Sequence, residues 1–321
     1  MNPSPPKFPG GGRFRSLAPT LRQRFGVNVY KVTLRAGFGC PNRDGRVGFG
    51  GCRFCSPIAL IPAGRVVSGP IEAQLHSGLK ALSLRHGPVK AIAYFQDGTA
   101  TDAPIVVLRD LYTRAIADPR VVMLAVGTRP DWLPNEVLDV LAELSACKPV
   151  LLELGLQTAS ERLLAALNRN HTAAVFADAV RRAHAHRIEV LAHIILDLPG
   201  ETEADRRQTA AQLNDVQIEG VKIHNLHVLA DTPLAEDYRA GRLALCSLPE
   251  YAAIAADFIE RLSSATVIHR LTGEGPTTLM LAPRWASDKR RVLAEITSVL
   301  KQRDSWQGKL AGEFKTDTGT A

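Results

Sequence analysis

From about residue 29 onward, short β-like apolar runs alternate with longer stretches whose apolar residues recur every three or four positions. The pattern predicts strands near 29–34, 89–96, 121–127, 149–156, 189–196 and 221–228, with helices over 70–85, 104–117, 134–146, 173–187 and 203–216 between them. Six strands with five intervening helices specify an α/β chain with a parallel sheet and helices outside it. Eight such units close a full barrel, so six predict a partial, open (β/α)6 barrel. Beyond about 232 the rhythm changes, with helices expected at 249–263 and 287–302 around a short strand at 266–271. This reads as a helical C-terminal extension covering one end of the barrel. The leading residues are rich in Pro and Gly without periodicity, which predicts a mobile segment. The expected organisation is therefore 1–24 mobile and basic, 25–235 barrel, and 236–321 extension.

Strand parity indicates what the barrel holds. In VLLELGLQT, a two-residue period puts Leu152, Leu154 and Leu156 on one face and Glu153, Gly155 and Gln157 on the other. The leucines must pack under helices, so the polar row faces the interior, where water, a ligand or the row's own members must satisfy it. By the same parity Lys222 pairs in facing with His224, and His193 with Asp197. Such a hollow, polar-lined barrel is read as a binding chamber.

Charge and cysteine usage narrow the chemistry. No signal-peptide-like run and no span of about 18 apolar residues appears, which predicts a cytoplasmic protein with no membrane partner. In that reducing setting, three of five cysteines gathered between 40 and 55 point to metal or redox chemistry before disulfides. Residues 1–71 carry eleven Lys and Arg against the single acid Asp44, a local excess of ten in a chain of net charge +7. The remainder is thus net −3. A basic leading segment suits a phosphate-rich partner such as RNA, and it also serves solubility.

The loop after the first strand contains Cys40, Cys52 and Cys55, the last two as a CxxC pair. Gly45, Gly48, Gly50 and Gly51 allow the intervening chain to wrap a compact inorganic core. Thiolates fit an iron–sulfur cluster or zinc, the latter with a fourth ligand such as His76, and a CxxC pair can also be redox-active. For a cluster, the number three matters. A fully ligated four-iron cluster takes four cysteines, so three leave one iron open to an outside ligand such as the amino and carboxylate groups of S-adenosylmethionine (SAM).

The stretches AGFGCPNRDGRVGFGGCRFC (36–55), AYFQDGTATDAP (93–104), VGTRPDWLP (126–134), LELGLQTASERLLAALNRNHT (152–172), AHIILDLPGET (192–202), KIHNLHVLADTPLA (222–235) and LTGEGPTTLMLAPRW (271–285) together resemble the radical SAM superfamily. The resemblance is to a bacterial family related to Elongator-type and methylthiotransferase-type enzymes. It implies a TIM-like radical SAM barrel, a [4Fe–4S] cluster on Cys40, Cys52 and Cys55, and SAM as cofactor. It further implies that Phe54 lies near the SAM adenine or shields the cluster, and that Gln96, Asp97 and Gly98 meet the SAM amino group. Gln157 and His193 then approach the ribose or methionyl groups. Arg129, in Thr-Arg-Pro-Asp, either grips a carboxylate or phosphate or forms a structural pair with Asp131 or Glu153. Asp197 stands where relatives have the first glycine of a Gly-Leu-Pro-Gly turn.

The function expected is reductive cleavage of SAM to a 5'-deoxyadenosyl radical, used on RNA, tRNA first, with an unidentified electron donor. The alternatives are a small, tetrapyrrole-like substrate and a zinc-stapled nucleic-acid-binding protein without catalysis. The absence of a second cysteine cluster predicts no auxiliary iron–sulfur centre.

Overall fold

The computed structural model describes residues 6–57, 69–273 and 275–312. Its strands are β1 (Val29–Leu34), β2 (Lys90–Phe95), β3 (Val121–Thr128), β4 (Val150–Gln157), β5 (Glu189–Leu196), β6 (Gly220–Asn225), β7 (Val228–Leu229), β8 (Val267–Arg270) and β9 (Met280–Ala282). Strands β1 to β6 lie side by side in sequence order, and β8 adds beyond β6, every neighbour parallel. The seven curl into an open half-barrel. The helices are α1 (Leu17–Phe25), α2 (Ile71–His86), α3 (Ile105–Ile116), α4 (Asn135–Ser145), α5 (Glu161–Ala166), α6 (Ala173–Ala185), α7 (Glu203–Asp215), α8 (Pro233–Arg239), α9 (Leu248–Arg261) and α10 (Lys289–Gln302).

Local signals explain where the crossover helices start. Thr202 accepts from the Asp205 amide at 3.2 Å while the Asp205 carboxylate accepts from the Thr202 amide at 2.8 Å, a reciprocal cap on α7. Ser247 and Glu250 repeat the device on α9. Leu152, Leu154 and Leu156 have no exposed surface and pack under the helices as parity requires. Each such leucine contributes about 2 kcal/mol by burial.

The sequence reading of β8 as part of a covering extension is corrected. Helix α9 packs against α7 and β5 and delivers β8 to the free edge of β6, so the C-terminal region supplies a seventh sheet strand as well as cover. The small antiparallel ribbon β7–β9 and helix α10, which packs on α9, form that cover.

The expectation of a mobile leading segment is also corrected for residues 6–24. Phe8 and Phe14 are buried, and Phe14 joins the main core. The Ile268 amide donates to Arg15 O at 2.7 Å and the Gln307 amide to Arg13 O at 2.9 Å, which fixes the segment along the edge of β8. Helix α1 then places Leu21, flanked by Leu17 and Phe25, against Ile92, Met123, Leu151 and Leu191 inside the barrel. The segment thus seals the seam between the last strand and the first and plugs the end where the strands begin. The apolar spacing 17, 21, 25 that drives this sits within a Pro- and Arg-rich stretch.

Candidate cluster and cofactor site

Above the apolar plug the barrel interior turns polar. Glu153, 1% exposed, is the centre of this layer. Its Oε1 accepts from Lys31 Nζ at 2.7 Å; its Oε2 accepts from Tyr94 OH at 2.6 Å, His193 Nε2 at 2.8 Å and Lys222 Nζ. Lys222 Nζ also reaches Tyr94 OH at 2.9 Å. At this depth the polar row is therefore satisfied by its own members. Burial alone would raise the Glu153 carboxyl, but the charges of Lys222 and Lys31 overcome it and hold the group well below its ordinary range. Burial, with the Lys222 charge, pushes His193 down to about 4, so it is neutral at pH 7 and donates from Nε2 to the carboxylate. Its ring stacks on His224 with centroids 5.6 Å apart. Above this layer parity puts Gly127 and Gly155 on the inner face, and the room at Gly155 is taken by the Arg169 guanidinium and the Gln157 amide, which a Cβ there would meet at 2.5 and 2.7 Å.

The cysteine loop closes over that mouth, between β1 and α2, and three sets of contacts shape it. The first comes from the end of β2. Asp97 Oδ2 accepts from the amides of Ala36 (3.2 Å) and Gly37 (2.9 Å), and the Thr99 amide donates to Gly39 O at 2.8 Å. Gly98 has φ +62°, and a Cβ there would lie 2.4 Å from both Phe38 O and Gly39 O. Only glycine fits this approach. Asp97 and Gly98 therefore act first on the chain entering Cys40, while Gln96 is half-buried beside them.

The second set is internal to the loop. Asn42, fully buried, points Nδ2 at Cys52 Sγ (3.5 Å) and at Asn168 O (2.7 Å). Arg43 donates to Gly50 O and Cys55 O. The third set comes from residues 167–171 after α5. Asn168 Nδ2 donates to Phe49 O (3.1 Å) and Gly51 O (2.8 Å), and the Arg53 amide donates to Leu167 O (3.0 Å). Asn170 Nδ2 donates to Asn42 Oδ1 at 2.7 Å. Arg169 reaches Cys52 Sγ through Nη1 at 3.6 Å and Gly155 O through Nη2 at 2.6 Å. Asn168 and Asn170 have φ +53° and +54°, a conformation asparagine tolerates better than most residues. The sequence reading did not single out this Asn-Arg-Asn clamp. The alternation of two asparagines around a buried arginine was the available signal.

The geometry fits an iron–sulfur cluster. Cys52 receives an amide and a guanidinium donor, as an electron-rich thiolate requires. Burial pushes the Cys55 thiol up, the charge of Cys52 adds to this, and Arg43 opposes it. Cys40 acts on Cys55 in the same sense, so the three sulfurs share one neighbourhood. Among the described residues, no three His, Cys, Asp or Glu stand in a grouping that could hold a metal ion, and this includes the three cysteines themselves. His76 is exposed on α2.

The remaining predicted residues surround the same mouth. Phe54 packs into the apolar group of Leu163, Leu167, Leu198, Leu226 and Leu234. Gln157, at φ +75° where the β4–β5 register shifts, is nearly buried. Arg129 uses its fork on Asp131 (2.9 and 2.8 Å) and reaches Arg169 O at 2.9 Å, which matches the structural-pair alternative with Asp131. Asp197 adopts φ +67°, a conformation glycine takes freely, and is held there as its amide donates to Glu201 (2.8 Å) and its carboxylate accepts from the Cys246 amide (3.0 Å). Asp97 Oδ1, Thr99 Oγ1, Arg129 Nη1 and Arg169 Nε are each buried without a partner. Native interiors rarely leave such groups unpaired, so their gathering at one mouth suits a polar ligand.

The basic leading segment does not form one patch. Arg13 pairs with Asp304, Arg24 with Glu189, Lys31 with Glu153, Arg46 with Asp44 and Asp102, and Arg53 with Asp237. Helix α1 lies at the strand starts, whereas Arg43, Arg46 and Arg53 lie on the cysteine loop at the opposite end; Arg65 falls outside the described residues.

Comparison with known proteins agrees with this architecture. Residues 36–213 match the model described as Radical SAM superfamily, and 218–302 the Radical_SAM C-terminal domain. The chain is 39% identical to the uncharacterized protein YtqA of Bacillus subtilis, over 92% of each chain. It is 26% identical to a tRNA-2-methylthio-N(6)-dimethylallyladenosine synthase of Chloroflexus aurantiacus, over 61% of this chain and 43% of that enzyme. The fold is shared with the archaeal Methanocaldococcus infernus Elp3 at TM-score 0.69 and 15% identity, covering 87% of this chain and 64% of that one. With more than half of its length matched by the family model, the chain belongs to the radical SAM superfamily, and is an enzyme whose cofactors are a [4Fe–4S] cluster and SAM.

Proposed function

We propose that Cys40, Cys52 and Cys55 hold the [4Fe–4S] cluster and that the enzyme modifies an RNA, with tRNA as the first candidate. The observation that carries the first half is the loop's cysteine surroundings, with Cys52 and Cys40 both acting on Cys55 and the donors of Asn42 and Arg169 aimed at Cys52 Sγ; three thiolates would leave one iron of a four-iron cluster for SAM. When bound, the cluster supplies one electron to the SAM sulfonium bond and so yields the 5'-deoxyadenosyl radical that abstracts hydrogen. The residues of this chain bind and exclude water. Asp97 and Gly98 set the approach of the cysteine loop, with Gln96 beside the SAM amino group; Phe54 lies against the adenine and Gln157 lines the side towards the ribose, while His193, engaged with Glu153, forms the layer beneath them. Arg129 steadies the Asn-Arg-Asn clamp through Arg169 O. The barrel, 25–235, borrows β8 from the extension, 236–321. The electron comes from a cytoplasmic donor.

Two observations support RNA. One is the partial similarity to a tRNA-modifying enzyme. The other is Phe49, 80% exposed on the cysteine loop between Arg46 and the loop's glycines. An exposed ring beside arginines at a chamber mouth is a stacking platform for an unpaired base. The test is anaerobic. Protein reconstituted with iron and sulfide should be brown, bind about four irons per chain, and release 5'-deoxyadenosine from SAM with dithionite. The triple Cys40, Cys52, Cys55→Ala variant should be colourless. One zinc per chain in place of iron sinks the cluster assignment, and tRNA affinity that ignores ionic strength sinks the RNA assignment.

A further inference from the structure

Strand β8 carries a bulge. Val221 pairs with Ile268, but the next residue, Lys222, pairs with Arg270, so His269 is the extra residue. Ile268 points outward into the helix-covered core, and simple alternation would send Arg270 the same way. The extra residue turns Arg270 onto the face of Lys222, inside the barrel. There it acts electrostatically on Tyr94, Lys222 and His224.

This adds a cation that no carboxylate among the described residues answers. Glu153 is the acid within the interior network, and its two oxygens already serve Lys31, Lys222, Tyr94 and His193. Among the described residues no carboxylate pairs with Arg270. Arg270 is half-buried, and a guanidinium keeps its proton in such a setting. Close by, His224 Nε2 is buried without a partner. An unanswered charge and an orphaned ring nitrogen in one interior pocket are the two halves of a seat for negatively charged oxygen.

We propose that Arg270, with Lys222 and His224 Nε2, binds a carboxylate or phosphate group on the part of the substrate that enters the barrel. The SAM carboxylate is a poor alternative occupant. Lys222 lies three residues below the end of β6 at Asn225, about 10 Å down the barrel, whereas the SAM carboxylate would be taken up by the open iron of a cluster held on the cysteine loop. The inference rests on the barrel being the radical SAM chamber, not on the substrate being RNA.

The test uses the reconstituted holoenzyme saturated with SAM, titrated anaerobically by calorimetry with inorganic phosphate and, separately, with acetate. Wild type should bind at least one of them saturably at one site per chain, without competing with SAM. Arg270→Gln should weaken that binding at least tenfold while cluster content and SAM affinity are retained. If that variant fails to hold its cluster, His224→Phe takes its place, with weaker anion binding expected. No saturable anion binding by a brown, SAM-binding wild type overturns the proposal, as does unchanged binding in the variants. Competition between the anion and SAM overturns it too, because the seat would then be SAM's own. A colourless preparation would instead indict the cluster assignment.

Discussion

Replacing Glu153 by Gln tests the interior network most directly. The side chain keeps its shape and loses its charge, leaving the partly exposed Lys31 and the buried Lys222 beside each other without the carboxylate that both contact. Removing one partner of a buried ion pair costs about 3–5 kcal/mol, because the remaining charge stays buried. With a urea slope of about 3 kcal/mol per molar, the denaturation midpoint should fall by roughly 1–1.7 M. The pH dependence has a definite sign. Glu153 is held ionised below its ordinary carboxyl value of 4.5, so its contribution is present above that value and disappears as pH falls through the lower folded value. Lys222 is displaced downward, by burial first, so the folded state favours its neutral form and the variant recovers as rising pH removes the ammonium charge. The gap between wild type and Glu153→Gln should therefore be widest near neutrality and narrow on both sides. Adding Lys222→Met to the variant should restore most of the loss. A midpoint shift below about 0.3 M at pH 7, under 1 kcal/mol on the same slope, would refute the reading of Glu153 as the charge that holds the chamber together.

Three further outcomes follow from other contacts. Gly98→Ala forces a Cβ to within 2.4 Å of two carbonyl oxygens at a positive φ, so iron incorporation should drop severely and the fold should lose about 1–3 kcal/mol, measured by iron content and urea midpoint. Phe49→Ala should weaken tRNA binding by about 1–3 kcal/mol, read by filter binding, while SAM cleavage without RNA stays at the wild-type rate. Leu21→Ala removes the side chain that plugs the strand starts and should destabilise by about 2–4 kcal/mol without changing iron content.

Much of the barrel was legible because a parallel strand buried on both sides leaves a plain signature. The run around Leu152 and the two-residue alternation of Glu153 gave both the element and its inward row. What escaped was long-range or compensated. Strand β8 is four residues long and separated from β6 by two helices, so its sheet edge is decided by α9 packing and not by its own pattern. The bulge at His269 leaves no mark in one sequence, and without it Arg270 counts as an outward residue. The leading segment looked mobile because its prolines and glycines hid three apolar residues spaced by four. At the mouth, the cysteines announced themselves through spacing, whereas Asp97 and Asn42 work through backbone amides and a sulfur that only the folded loop brings within reach. The excess of positive charge was real in sequence and misleading in space, since Asp304, Glu189 and Asp237 arrive from far along the chain to answer it.

The plug has a bearing on how the enzyme is made. Residues 13–16 are anchored by atoms of Ser264, Ile268, Asp304, Ser305 and Gln307, so this earlier-synthesised segment can dock only after the ribosome has delivered the last of these. Contacts across such separations form late, since the closure entropy of the intervening chain must be overcome first. Until then the nascent barrel stands open along one flank and at the end where its strands begin, with the apolar surface around Ile92, Met123, Leu151 and Leu191 uncovered. Docking then covers that surface.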